Sequence, residues 1–551
     1  MGNTNRYEEE ELLRRARAES DGEADKSENI DDPTAYELED LEHAEHYSPP
    51  ARRRTSSRWP WSRFLKSSTQ GKLSYFSIST PRRRRSLSHR ICRLVALLAY
   101  IALGLLVICG IFFPSYSRPP QRYHELRKRV QNSQTTGAGN IHNEKVYIAA
   151  SIYERNAELI SGDWGKAIKG LVDVLGPENV FLSIYENDAD ETTKLALRDY
   201  KSSLSCNSSI VTEHLDLAGI AHVTTPAGRA RLKRIAFLAE VRNRALRPLE
   251  DEDSPAYNTH YDKLLYVNDV VFDPIDAANL LFSTNADQSS GETSYRAACA
   301  TDFIDPVKFY DRFATRDLEG YTSGVPFYPF FTSAGQGISR KDVQAQKDAV
   351  RVKSCWGGMV AFEAKWFRSQ SESISPASNT TRQHPLRFRA ETDTYWDASE
   401  CCLINADLSN LSPSTLPADS TGIYMNPYIR VAYSTSVLKW LHISRRFERL
   451  FTPIQTIATW IAGFPDFNPR REQQPGDEVS DRVWMWDEES QKAMQDGTVS
   501  SLPGGVPHGK FENVLRTATP GQFCGTRRLL YINENAGKGE SKWGDERVPS
   551  S

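Results

Sequence analysis

Apolar positions divide this chain into stretches of very different texture. Up to residue 93 they are sparse and follow no period, the pattern of a segment that buries too little apolar surface to offset its ordering entropy. Leu94 to Phe113 reads LVALLAYIALGLLVICGIFF, 20 residues with no charge and no polar stripe. At about 1.5 Å of rise per residue a helix of that length spans roughly 30 Å, the thickness of a bilayer core. It also lies too far from the N-terminus, and is too long, for a cleaved leader. Residues 114–140 are polar, rich in Pro, Gln, Ser, Thr and Gly, and predict a stem. From Lys145 onward short apolar runs alternate with helical periods. Val146–Ala150, Val180–Tyr185, Ile210–Leu215 and Lys263–Phe272 read as strands, and Asp163–Leu175, Thr192–Ser203 and Gly228–Leu246 as helices. Strands separated by helices of that length imply crossover units and a parallel sheet. Their continuous apolar character implies cover on both faces.

The expected organisation is a disordered cytosolic tail (1–93), a transmembrane anchor (94–113), a stem (114–140), an α/β lumenal domain with a mixed, mostly parallel sheet (141–460), and a C-terminal extension packed on it (461–551). Charge sharpens this reading. Residues 1–50 carry 16 acidic and 5 basic side chains, and residues 51–93 carry 13 basic and no acidic ones. A basic block beside a membrane segment favours the cytosolic side and meets anionic lipid or sorting machinery; nucleic acid is not an expected partner. All three Asn-x-Ser/Thr sequons, at Asn207, Asn379 and Asn410, lie beyond the anchor, where glycosylation requires lumenal exposure. Six of the eight cysteines also lie beyond it, an even set able to form disulfides in an oxidising lumen.

Candidate chemistry collects at the carboxyl ends of the strands, where open α/β sheets bind ligands. The first strand ends in Glu154 and Asn156, the second in Glu186, the fourth in Asn268-Asp269, and a later one, Arg296–Ala300, at Thr301-Asp302. A carboxylate at the fourth strand end suits a hard divalent cation, although Asn and Asp also favour turns and caps. Arg242 falls on the apolar face of its helix and needs a carboxylate or a phosphate as partner. Asp393, Asp397 and Glu400 are spaced to share one helical face, either solvated or serving a reacting sugar. Cys355-Trp356-Gly357-Gly358 reads as an acceptor loop or as a tight packed turn.

The segments VYIAASIYERNAELI, FLSIYENDADET, RIAFLAEVRNRAL, LLYVNDVVFDP, YRAACATDF, FYDRFATRDLEG, SCWGGMVAF, ASECCLINADL and MNPYIRVAYS, in that order from about Val146 to Leu441, resemble the fungal capsule-associated α-1,3-mannosyltransferase family (glycosyltransferase family 69, also labelled polysaccharide export proteins). GQFCGTRRLLYI near the end resembles it more weakly. The resemblance implies a type II enzyme of the Golgi membrane with a GT-A-like nucleotide-sugar domain. It implies transfer of mannose from GDP-mannose to an α-mannoside acceptor with retained configuration, and a divalent cation, Mn²⁺ or Mg²⁺. Asn268-Asp269-Val270 stands where related folds carry Asp-x-Asp, so Asp269 becomes the anionic metal ligand, helped by Asp273. Glu154, Asn156, Glu186, Asn268 and Arg242 are then expected at the donor, Trp356–Gly358 at the acceptor, and Glu400 with Asp397 as the catalytic carboxylates. The alternatives are a non-catalytic assembly or export factor and a transferase using another nucleotide sugar.

Overall fold

The computed structural model describes residues 87–225, 228–287, 289–368, 385–411, 420–534 and 541–549. The sequon at Asn379 and the tail up to residue 86 lie outside them. The described residues divide into two units at Ile108. The predicted anchor is helical: α1 runs Leu87–Phe112, and its segment Ile91–Phe112, with a mean hydropathy of 2.8, is long and apolar enough to cross a membrane.

The second unit is built on a nine-stranded sheet. Its strands are β1 Val146–Ile152, β2 Val180–Asn187, β3 Asn207–Glu213, β4 Lys263–Val267, β5 Ala297–Phe303, β6 Arg316–Asp317, β7 Val350–Ser354, β8 Met359–Glu363 and β9 Ile423–Ala432. They lie in the order β3-β2-β1-β4-β8-β5-β9-β7-β6. Neighbours are parallel across β3-β2-β1-β4 and β5-β9, and antiparallel across β4-β8-β5 and β9-β7-β6. The sheet is therefore mixed in even measure, where the sequence suggested a parallel majority. The reason is β8, which lies between β4 and β5 and runs against both of them. Central strands β2, β4, β5 and β9 are buried along their whole length, as their unbroken apolar character requires.

Helix α2 (Gln121–Asn132) lies in the segment read as a stem. It is folded against the domain, with Tyr123 and Leu126 buried and Arg127 paired to Asp273 at 2.9 Å and Asp276 at 2.6 Å. Helices α3 (Asp163–Leu175) and α4 (Glu191–Ser202) fall where their periods place them. The long helix expected over Gly228–Leu246 is shorter. It is α5, Arg234–Arg244, preceded by a strand at Ala230–Lys233. That strand pairs with Leu529–Ile532 from the far end of the chain, so a long-range partner overrides local helix propensity. Helices α6 (Pro274–Ser283) and α7 (Glu400–Asn410) complete the frame: α6 packs on α2 and α3, and α7 on α5 and β7.

The C-terminal extension is tied to this core. Disulfide Cys402–Cys524 joins it to α7, Gly525–Thr526 pairs with Asp397–Ala398, and the Arg316 guanidinium donates to the carbonyls of Phe523 and Cys524. A second disulfide, Cys299–Cys355, links β5 to the turn after β7. The Cys402–Cys524 bridge closes a loop across 122 residues, and a constraint of that length acts mainly on the unfolded chain. Cys524→Ser should lower unfolding free energy by about 2–5 kcal/mol, read by chemical denaturation.

Candidate active site

The strand ends named from sequence converge on one buried guanidinium. Strand β4 delivers Asn268 and Asp269 as it leaves the sheet, and Asn268 is locked on three sides. Its N–H donates to the Gly358 carbonyl at 2.9 Å, its carbonyl accepts from the Trp164 indole at 2.8 Å, and its Oδ1 accepts from the Trp356 indole at 3.2 Å. Arg242 Nη1 donates to the same Oδ1 at 3.0 Å, and its Nε donates to Glu400 Oε1 at 2.9 Å. The guanidinium lies 4.7 Å from the Trp356 ring centre, with Tyr266 and Phe388 also beside it. Burial works to lower the Arg242 pKa, but the Cys401 thiol and the Glu400 carboxylate beside it prevail and hold the group charged. Glu400, first residue of α7, is 3% exposed, and its Oε1 also accepts from the Cys401 thiol at 3.4 Å. Of the two partners foreseen for Arg242, a carboxylate and a phosphate, the carboxylate is present.

Helix α5 is fastened at its other end by Lys233. This buried ammonium donates to the carbonyls of Glu391 and Asp393 at 2.7 Å each and lies 3.3 Å from Asp397. Asp393, Asp397 and Glu400 do not share a helical face, because Asp397 and Ala398 form a short strand and α7 begins only at Glu400. Asp397 is fully buried, accepts from the Leu530 N–H at 2.7 Å and faces Lys233, which makes it an anchor for the C-terminal extension. Asp273 caps α6 through the Ile275 N–H and pairs with Arg127.

The Trp356–Gly358 turn is packed, the second of its two readings. Trp356 is 3% exposed beneath Arg242. Gly357 has φ +58°, and a Cβ there would stand 2.1 Å from the Ala300 carbonyl, so this turn admits only glycine. It is held by Asp311, which no strand-end pattern reveals because it follows β5 by a loop. Asp311 Oδ2 accepts from the N–H groups of Trp356 and Gly357 at 3.1 and 2.9 Å. Asp302 at the end of β5 accepts from the Asp311 N–H and from the Tyr433 hydroxyl. Burial first, and then the Asp311 charge, push the Asp302 carboxyl up to about 8.

At the ends of β1 and β2 sits a second acidic pair. Glu154 Oε1 accepts from the Ile160 and Leu159 N–H groups and so caps the short helix that follows β1. Glu186 is fully buried. The N–H groups of Glu154 and Ala189 face its carboxyl group, yet among the described residues neither oxygen completes a hydrogen bond. Burial is the main cause that raises both carboxyls, Glu186 from 4.5 to about 7. Asn156 is exposed at φ +61°, its N–H donating to Asp190 at 2.9 Å. Asp269 is half-buried, and the described residues contain no cluster of three or more His, Cys, Asp or Glu side chains able to hold a metal alone. Asn207 and Asn410 are exposed.

Removing one member of a buried ion pair leaves the other charge uncompensated. Arg242→Met should cost about 3–5 kcal/mol, and Arg242→Met with Glu400→Leu less than the sum of the two single changes, in a double-mutant cycle by chemical denaturation. Glu186 should also give stability a pH dependence. The folded chain keeps a proton that the unfolded chain releases above pH 4.5, so this contribution is full below 4.5 and is lost as pH rises to about 7. Glu186→Gln removes it, and the stability of the variant relative to wild type should rise across that window and level off beyond it.

Residues 145–407 match the family model described as Cryptococcal mannosyltransferase 1. Among solved structures the chain is similar to the mannosyltransferase PcManGT from Pyrobaculum calidifontis, described in complex with GDP-Man and Mn2+. That likeness has 11% identity over 67% of this chain and 85% of that one, with a TM-score of 0.29. It is also similar to S. aureus TarS 1-349, described in complex with UDP, at 9% identity over 54% of this chain and 65% of that one, with a TM-score of 0.27. Structural likenesses of this size carry no argument about the site. No curated protein matches the chain. The central domain, residues 145–407, thus carries the match to the capsule-associated cryptococcal mannosyltransferase model, and the protein is a glycosyltransferase.

Proposed function

We propose that this enzyme transfers mannose from GDP-mannose to an α-mannoside acceptor, forming an α-1,3 linkage in polysaccharide or glycan synthesis. The observation that carries the reading is the Arg242 guanidinium, which ties Asn268, the neighbour of Asp269, to Glu400. One buried side chain thus links the strand end suited to a donor diphosphate with the carboxylate suited to an acceptor.

Asp269 supplies one carboxylate, and magnesium-like cations are commonly held by one or two carboxylates together with substrate phosphates. Asp269 would contribute a ligand to Mn²⁺ or Mg²⁺ there. Such a cation neutralises charge on the departing diphosphate. Glu154, Asn156 and Glu186, at the ends of β1 and β2, face the nucleotide. Glu400 Oε1 is committed to Arg242 and Cys401, and Oε2 receives the acceptor hydroxyl. Arg242 acts by holding Glu400 and Asn268 in register, and the packed Trp356–Gly358 turn supports the acceptor side.

The setting is a single-pass type II protein of the Golgi membrane with the domain in the lumen. In support, an apolar helix precedes the domain, two disulfides lie within it, and sequons Asn207 and Asn410 are exposed. Purified full-length protein should use GDP-mannose in preference to UDP-galactose and UDP-xylose, and Asp269→Ala should lose about a hundredfold or more in rate. Calorimetry should show GDP binding that depends on Mn²⁺. Full activity of Asp269→Ala with metal present would contradict the assignment, and preference for a uridine-based donor would replace the sugar while keeping the site.

A further inference from the structure

Helix α8 (Thr435–Ser444) and helix α9 (Phe451–Ile461) follow β9, the last strand of the nine-stranded sheet, and take no part in the site. Helix α9 is amphipathic in the reverse sense. Two of its polar side chains point inward: Gln455 is 0% and Thr459 7% exposed. Arg340 donates to Gln455 Oε1 at 2.6 Å and to Thr456 Oγ1 at 2.7 Å, and the Val325 N–H donates to Thr459 Oγ1 at 3.2 Å. Its apolar side chains point outward: Ile454, Ile457, Trp460 and Ile461 are 54%, 59%, 80% and 72% exposed. Trp440 and Ile443 on α8 and Phe467 just beyond α9 are exposed as well. No charged residue occurs from Phe451 to Pro465, and exposed Lys439 and Arg446 stand before it. A helix that hydrogen-bonds its polar face to its own domain and presents Ile and Trp outward is ordered for a medium other than water.

The chain path says which medium. The apolar span ends at Phe112, and Tyr116 is already buried in the domain, its hydroxyl donating to the carbonyls of Val343 and Lys347. Three residues separate the two, so Tyr116 lies within about 14 Å of the end of the span. The Tyr116 ring packs edge-on against Tyr428, and the Arg430 guanidinium lies over it. Arg430 in turn makes a two-pronged pair with Glu448, at 3.0 and 2.7 Å, three residues before α9 begins. Direct contacts thus run from Tyr116, just past the span, to the start of α9.

We propose that α8, α9 and Phe467 form a lipid-docking surface, seated in the interface of the same membrane that holds the anchor. Trp and Ile enter the headgroup–acyl boundary, and Lys439 and Arg446 meet headgroup phosphates. The anchored domain is then held by two contacts and does not swing on a tether. The proposal rests on the single-pass reading and is independent of donor, metal and acceptor.

The test uses full-length protein reconstituted in phosphatidylcholine nanodiscs, with and without lipids brominated on the acyl chains. Trp460→Phe, a conservative exchange at an exposed position, isolates the Trp460 emission by difference. That emission should be blue-shifted and should fall by about half or more with brominated lipid, as expected for an indole at the acyl boundary. Emission at the wavelength of water-exposed indole, or blue-shifted emission that brominated lipid leaves unchanged because a second copy covers the face, would overturn the proposal. Failure of the chain to enter discs at all would remove the single-pass reading, which co-purification with lipid reports separately.

Discussion

One buried cation organises the candidate site. A guanidinium withdrawn from water must be paired and hydrogen-bonded, and Arg242 meets that demand with Glu400 on one side, Asn268 on the other and aromatic rings beneath. Each partner comes from a different element: α7, the end of β4, and the turn between β7 and β8. The cost of leaving any of them unpaired fixes all three relative to α5. Lys233 repeats the device at the opposite end of that helix, gathering the carbonyls of Glu391 and Asp393 and the Asp397 carboxylate. Between them the two cations hold the segment that leads into Glu400.

This division of labour separates carboxylates that sequence spacing had grouped. Asp397 and Glu400 are three residues apart, yet Asp397 anchors the C-terminal extension through Lys233 and Leu530 while Glu400 faces Arg242. Asp273 is spent on a helix cap and on Arg127. The buried pair Asp302 and Asp311 has a structural task, holding the Trp356–Gly357 turn by its N–H groups.

Local patterns were legible where local forces decide. Asp163–Leu175 is a helix over the same residues its period marks, and the four early strands lie where the apolar runs do. The need of Arg242 for a charged partner followed from its place on an apolar face. What the sequence hid depends on distant chain. Ala230–Lys233 has helical character but pairs with Leu529–Ile532, almost three hundred residues on. The polar composition of 114–140 suggested a loose stem, yet Tyr123 and Leu126 suffice to seat a helix on the domain. Asp311 and Trp164 carry no motif, because a backbone-holding acid and an indole donor acquire meaning only from the groups they meet.

The central claim is that Asp269 and the donor diphosphate together hold the cation beside the Arg242–Glu400 pair. The most direct measurement is a structure of the full-length protein with GDP and Mn²⁺, with manganese located by its anomalous scattering. Manganese bonded to an Asp269 oxygen and to the diphosphate is the expected result. Manganese at Asp302 and Asp311 or at the Glu154–Glu186 pair, or diphosphate bound away from the β4 end, would contradict it.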